Sequence, residues 1–221
     1  MQFSESWLRS LVNPALNTQQ LGHLLTMAGL EVEALEPVAP PFTQVVVGEI
    51  LSAEKHPNAD RLQVCQVNVG EAEALTIVCG APNARAGLKT ACARVGSALP
   101  GDFQIKQAKV RGVESSGMLC SAKELGMTSD AEGILELPAD APVGAGLRDY
   151  LDLDDTRITL KLTPNRGDCL SLSGIARETA ALANVPMQGV ECTPVASTCD
   201  ATFPVSIHAE DACPRYCGRV I

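Results

Sequence analysis

The hydrophobic period of this chain changes twice, and those two changes limit what it can fold into. Before residue 38 the apolar residues recur at helical spacing, as in Leu21, Leu24, Leu25 and Ala28. Past the stiff segment Val38-Ala39-Pro40-Pro41 the period becomes 2. Strands are expected over 45–51, 62–69, 75–78, 89–95, 103–110 and 117–121. Turn signals separate them at Gly70, Gly80-Ala81-Pro82-Asn83, Gly96 and Pro100-Gly101. Short strands with regular turns predict a small closed barrel within 42–148. Beyond it comes a strand over 158–162, a loop at Thr163-Pro164-Asn165-Arg166-Gly167, and a helix carrying Leu172, Ile175, Ala176, Thr179 and Leu182.

The pieces on either side of the β block are too short to offset chain entropy alone. Barrel ends lie close together, so a barrel inserts easily into another domain. The expected organisation is one small α+β domain in two parts, residues 1–38 and 149–195, with a barrel of residues 39–148 in its middle. Residues 196–221 read as a linker and the start of a further domain, with a strand from Phe203 that turns Val205 and Ile207 inward. In the first part Ser4 is expected to cap a helix, with Phe3 and Leu8 forming a staple and Trp7, Leu8 and Leu11 on one face. Thr18 is expected to cap the second helix and Gly29 to end it.

Charge and composition narrow the function. Seventeen Lys and Arg against 26 Asp and Glu give a net charge of −9, which excludes a simple cationic nucleic-acid binder. The cations concentrate in the β block, where ten Lys and Arg face twelve Asp and Glu over 43–148. A phosphate-facing patch and a mixed solvated surface both remain open there. No apolar run approaches the roughly 18–20 residues that span a bilayer. Glu5 and Ser6 stand where a signal peptide would place its apolar core, so a cytoplasmic protein is expected.

Nine cysteines at irregular gaps, with no C-x-x-C, read as reduced and mostly buried thiols. The alternative is a zinc site from His208, Cys213 and Cys217, which lacks a fourth ligand. His23 reads as a helix-surface residue, and Asp152, Asp154 and Asp155 as a solvated acidic loop. No motif for a P-loop, a nucleophile elbow or a zinc protease occurs, so no catalytic residue is expected. The loop from Lys55 to Leu62 is rigid by composition, because Pro57 fixes φ and Asn58 and Asp60 close turns. Lys55, His56 and Arg61 are expected to project from it. An ordinary polar connection is the other reading.

Four motifs in order carry a resemblance: His56-Pro57-Asn58-Ala59-Asp60-Arg61-Leu62, Val78-Cys79-Gly80-Ala81-Pro82-Asn83, Leu99-Pro100-Gly101, and Arg111-Gly112-Val113-Glu114-Ser115-Ser116-Gly117-Met118-Leu119-Cys120-Ser121. Together they resemble the tRNA-binding OB-fold module. The flanks, Ser6-Trp7-Leu8, Met27-Ala28-Gly29-Leu30-Glu31-Val32, Leu162-Thr163-Pro164-Asn165-Arg166-Gly167-Asp168-Cys169-Leu170 and the stretch from Cys213 to Ile221, resemble bacterial phenylalanine–tRNA ligase β subunits.

The resemblance implies an α+β chain in which a five-stranded OB-fold β-barrel is inserted into a discontinuous α+β domain. It implies the N-terminal tRNA-binding and assembly region of a class II ligase that uses ATP and Mg2+ to join phenylalanine to tRNA(Phe). The catalytic centre would lie in an α subunit within an α2β2 heterotetramer. The expected RNA-contacting residues are Lys55, His56, Asn58, Arg61, Asn83, Arg85, Lys109, Arg111, Ser116, Met118 and Ser121. The alternative is a free-standing OB-fold tRNA-binding or chaperone module. Phe103 is the one aromatic residue between 43 and 148, which disfavours strong stacking on single strands.

Overall fold

A computed structural model describes residues 1–130, 132–189 and 192–220. The chain opens with strand β1 (Gln2–Ser4) and helix α1 (Glu5–Leu11), which Ser4 caps by accepting the Trp7 N–H. Helix α2 (Thr18–Met27) is capped by Asn17 rather than Thr18. The Asn17 side chain accepts the Gln20 N–H, and Gln20 reaches back to the Asn17 backbone, a reciprocal box that Thr18 cannot close from inside the helix. Leu8 and Leu11 are buried while Trp7 is exposed, so the three do not share one buried face. Gly29 ends α2 at φ +85°, and His23 lies on the exposed face of α2 as expected. Strand β2 (Glu31–Pro37) then alternates half-buried and exposed residues.

The β block begins with β3 (Val45–Lys55), β4 (Gln63–Asn68), β5 (Leu75–Cys79) and β6 (Lys89–Arg94). The strand expected over 103–110 is broken. β7 (Ala98–Leu99) and β8 (Phe103–Gln104) form one small hairpin, and β9 (Ala108–Val110) and β10 (Val113–Ser115) another. Buried Ile105, whose N–H donates to Ser97 O, separates them. Strand β11 (Gly117–Cys120) returns to the main sheet, and β12 (Glu136–Leu137) adds a short pair to β6.

The main sheet runs β11-β6-β3-β4-β5, all antiparallel. The first half of β3 pairs with β6 and its second half with β4, so this long strand turns the corner of the barrel. Ser116 N–H donates to Thr76 O at 2.9 Å, joining the start of β11 to β5 and nearly closing the ring. The result is a nearly closed five-stranded OB-type barrel. Its interior is small and apolar: Val46, Ile50, Cys65, Val67, Ile77, Cys92 and Leu119 are buried together, while Val47, Ala91 and Cys120, on the other face of the same strands, pack in a second cluster with Phe42, Leu125 and Leu147.

After the barrel come α3 (Leu147–Tyr150), β13 (Thr156–Lys161) and α4 (Leu172–Ala183). Strand β13 sits between β1 and β2 in a three-stranded antiparallel sheet. The chain before the barrel and the chain after it thus share one sheet. They also share one core, in which Phe3, Leu8, Leu21, Leu25 and Leu30 pack with Ile158, Leu160 and Ile175. Asp155 adds a polar tie, accepting from Ser4 Oγ and from Ser6 N and Oγ at the start of α1. The segment expected as a loop after β13 is a kinked 3₁₀ turn, Pro164–Cys169.

Residues 189–221 form a separate compact unit. Its described residues contain no strand, and those from 192 to 220 are exposed, Val205 and Ile207 among them. The strand expected from Phe203 is therefore not formed. Without partner strands an extended segment has no ladder to complete. Its expected end, Ile221, lies outside the described residues.

Candidate nucleic-acid interface

The loop between β3 and β4 is held from within. His56 N–H donates to Leu62 O at 3.0 Å, joining the two ends of the loop. The His56 ring is 3% exposed, so it does not project into solvent as expected. Its Nδ1 accepts the Asn58 N–H at 3.0 Å, which leaves the ring proton on Nε2, 3.1 Å from Val110 O. Asn58 Nδ2 donates to Arg111 O at 3.0 Å. Both residues bind the β9–β10 hairpin instead of facing outward. Lys55 is exposed and pairs with Asp60 at 3.0 Å, while Arg61 is exposed and carries no ion pair among the described residues.

Asn83 and Arg85 are also engaged internally. Asn83 binds the backbone of Ile134, and both Asn83 and Arg85 bind Glu136. The Arg85 guanidinium, with help from the Asn83 amide, lowers the Glu136 carboxyl from its ordinary 4.5 to about 2. Ser121 and Glu124 bond each other in a tight turn. Ser116 is half-buried, and its backbone closes the barrel.

The hairpin carries Lys109 and Arg111, both exposed. Arg111 at φ +49° and Gly112 at φ +98° make its two-residue turn, a geometry matched to strand twist. Lys109 stands opposite Glu114 across the hairpin without forming an ion pair. Within the β block Arg85, Arg94 and Arg148 pair with carboxylates, and Lys89 donates to Ala141 O. Within that block the exposed cations without an ion pair among the described residues are Arg61, Lys106, Lys109, Arg111 and Lys123.

A groove of about 940 Å³ lies beside this region, bordered by Val78–Pro82, Leu99, Pro100, Phe103, Met118, Ser121 and Lys123. It continues over Gly80-Ala81-Pro82 into a smaller cleft lined by Lys55, Asp60 and Arg61. Of the expected contact residues, Lys55, Arg61, Met118 and Ser121 line these two depressions. Phe103 and Lys123 were not among them. Phe103 follows the Pro100-Gly101 turn and is 55% exposed, a position that only the broken strand explains. Lys123 projects from the Ser121–Glu124 turn, and Ser121-x-x-Glu124 was the signal that could have found it. Cys79 lines the groove, and burial pushes its thiol up.

The cysteines are all free. Cys65, Cys79, Cys92, Cys120 and Cys169 are buried, and the four in the C-terminal unit are exposed. His208, Cys213 and Cys217 do not converge among the described residues. Asp168, Cys169 and Glu178 do, but the Arg166 guanidinium already lies among them, 3.0 Å from the thiol and from Glu178. That cation supplies the charge a metal would bring. Among the described residues no helix is long and apolar enough to cross a membrane.

A family model described as "Putative tRNA binding domain" matches residues 45–146, the barrel and its groove. All 221 residues align with the phenylalanine–tRNA ligase β subunit of Thiobacillus denitrificans at 64% identity. Over its whole length the chain is similar to the N-terminal portion of phenylalanine–tRNA ligase β subunits. The β subunits of Aromatoleum aromaticum and Dechloromonas aromatica are 61% and 59% identical over the same 221 residues. In each case the chain spans 28% of the relative's length, its N-terminal portion.

Proposed function

We propose that this chain is the tRNA-contacting and assembly region of a phenylalanine–tRNA ligase. The whole enzyme would attach phenylalanine to tRNA(Phe), with ATP and Mg2+ used at an α subunit in an α2β2 assembly in the cytoplasm. The chain's own part is binding and support, with no catalytic group. Residues 1–38 and 149–195 make one domain, residues 39–148 the inserted barrel, and residues 196–221 lead into the next domain. The shared sheet of β1, β13 and β2 supports that division.

The observation that carries the reading is the run of unpaired cations beside the groove. Arg61 lines the cleft, Lys123 the groove, and the hairpin with Lys109 and Arg111 is bonded to the loop that bears Arg61. Phosphate oxygens suit such a rim, and the apolar floor around Phe103 and Met118 suits a base or ribose face. A net charge of −9 opposes long-range attraction, so affinity is modest and depends on these local contacts. A free-standing module would not require the flanking sheet, and the match of all 221 residues to the N-terminal 28% of a β subunit favours the ligase.

The test is a salt titration of tRNA(Phe) binding to the 221-residue chain and to Lys109→Ala/Arg111→Ala. The log–log slope should fall by roughly one unit per lost contact. Coincident slopes, or no binding at low salt, would make these cations solvated surface and the barrel a structural module.

A further inference from the structure

The β9–β10 hairpin has no place in the barrel ladder. It is a separate two-stranded sheet with three residue pairs, Val110–Val113, Lys109–Glu114 and Ala108–Ser115. Such a ribbon is marginal in water and needs outside support to hold one orientation. Its base is fixed by Ser115 Oγ, which accepts from Val78 N–H and donates to Gly117 O. Its tip is fixed by side chains of the preceding motif: the His56 ring on Val110 O and the Asn58 amide on Arg111 O. Arg111 occupies a left-handed conformation that a side chain adopts at a cost, and the bond from Asn58 lands on that same residue's carbonyl.

His56 is buried and cannot touch a ligand as the loop stands. Its ring instead spans two segments, with Nδ1 taken by Asn58 N–H and Nε2 by Val110 O. We propose that His56 and Asn58 are positioning residues for RNA binding, which lock the hairpin tip against the β3–β4 loop so that Lys109, Arg111 and Arg61 form one phosphate-binding edge. This rests on the interface reading above. Neither residue contacts RNA; each acts through the cations it aligns. Without the two bonds the hairpin would swing on its Ser115 anchor, and the cations would meet phosphates only after paying an ordering cost.

A double-mutant cycle tests this, with the 221-residue chain and a tRNA(Phe) transcript in low salt. Asn58→Ala removes one exposed tie, and His56→Asn keeps an acceptor near Nδ1 while withdrawing the donor from Val110. Each should weaken binding by roughly three- to tenfold and flatten the salt slope by up to about one unit. In the Lys109→Ala/Arg111→Ala background either should have a much smaller further effect, because the hairpin cations that it holds beside Arg61 are gone. His56→Gln, whose amide reaches toward Val110 O, should recover most of the loss. Amide exchange at Val110 to Val113 should quicken in both single variants.

Equal losses in the two backgrounds would reduce His56 and Asn58 to general stability and overturn the inference while leaving the interface intact. Should His56→Asn fail to fold, Asn58→Ala, an exposed position, carries the same cycle. If Lys109→Ala/Arg111→Ala binds like the wild type, the interface reading itself fails, and the inference with it.

Discussion

Asn83 grips Ile134 by both backbone groups: its Oδ1 accepts the Ile134 N–H at 3.0 Å and its Nδ2 donates to the Ile134 carbonyl at 2.9 Å. A side-chain amide used this way completes a strand-like pair where no strand exists. It ties the loop after β5 to the segment leading into β12, across one end of the groove.

That clamp dictates the residue before Ile134. Gly133 has φ +84°, and a Cβ placed on it would overlap Asn83 Oδ1. Gly133→Ala should therefore cost upwards of about 2 kcal/mol, from backbone strain and displacement of the amide together. Asn83→Ala should cost about 1–3 kcal/mol, because it leaves the backbone groups of buried Ile134 unpaired. Urea unfolding midpoints measure both. A double variant no worse than Gly133→Ala alone would locate the damage in the clamp, whereas full additivity would separate the two positions.

Glu136 reports the same junction electrostatically. Its carboxyl lies at about 2, below an ordinary 4.5, because Arg85 and Asn83 donate to it. A depressed folded-state value means the stabilisation is complete above the unfolded value of about 4.5 and is lost as pH falls toward 2. Arg85→Ala should raise the Glu136 titration, followed by side-chain carboxyl NMR, toward the ordinary value. It should also flatten the acid limb of stability in that window. Failure of the Glu136 signal to move would show that the Arg85 pair is solvent-separated.

The alternation of β2 and β4 and the helical spacing of α2 and α4 were legible, since period 2 and period 3.6 write burial directly into sequence, whereas β3 and β6 are buried on both faces over much of their length. The single strand expected over 103–110 passes over a break that the pattern carries: Phe103 and Ile105 are apolar on odd positions, Ala108 and Val110 on even ones, so the phase slips at Lys106-Gln107, between β8 and β9. At the candidate site, the motifs named the segments but not the direction of their side chains. His56, Asn58, Asn83 and Arg85 look like polar ligands in sequence, yet all four spend their donors on the protein's own carbonyls and carboxylates. Only tertiary partners distinguish those uses. Phe103 was visible as a lone ring, but its exposure follows from a hairpin that the pattern does not reveal.

Thiol reactivity should divide along the chain. Burial pushes Cys92 and Cys120 up to about 12 and Cys65 to about 11, so little thiolate forms and no reagent reaches it. Cys192, Cys199, Cys213 and Cys217 are exposed. Brief treatment of the native chain with iodoacetamide near pH 8, read by peptide mass spectrometry, should modify these four promptly. Cys65, Cys79, Cys92, Cys120 and Cys169 should react only after denaturant is added. Early modification of Cys92 or Cys120 in native buffer would contradict the closed barrel.

Phe103 offers the sharpest separation of base contact from phosphate contact. The ring is 55% exposed and lines the groove with Leu99, Pro100 and Met118. Removing an exposed ring disturbs little packing, so Phe103→Ala should leave the unfolding midpoint within about 0.5 kcal/mol of wild type. Stacking of a base on an aromatic ring is worth about 1–3 kcal/mol, so tRNA affinity should fall by roughly five- to a hundredfold. No counterion is released by a stacking contact, and the salt slope should therefore stay where it was. Phe103→Ala thus displaces the line of log affinity against log salt without tilting it, whereas Lys109→Ala/Arg111→Ala tilts it. Phe103→Trp should keep or tighten binding, since a larger ring stacks at least as well. Unchanged affinity in Phe103→Ala would mean that the groove floor meets no base, and that the barrel holds RNA by its phosphates alone.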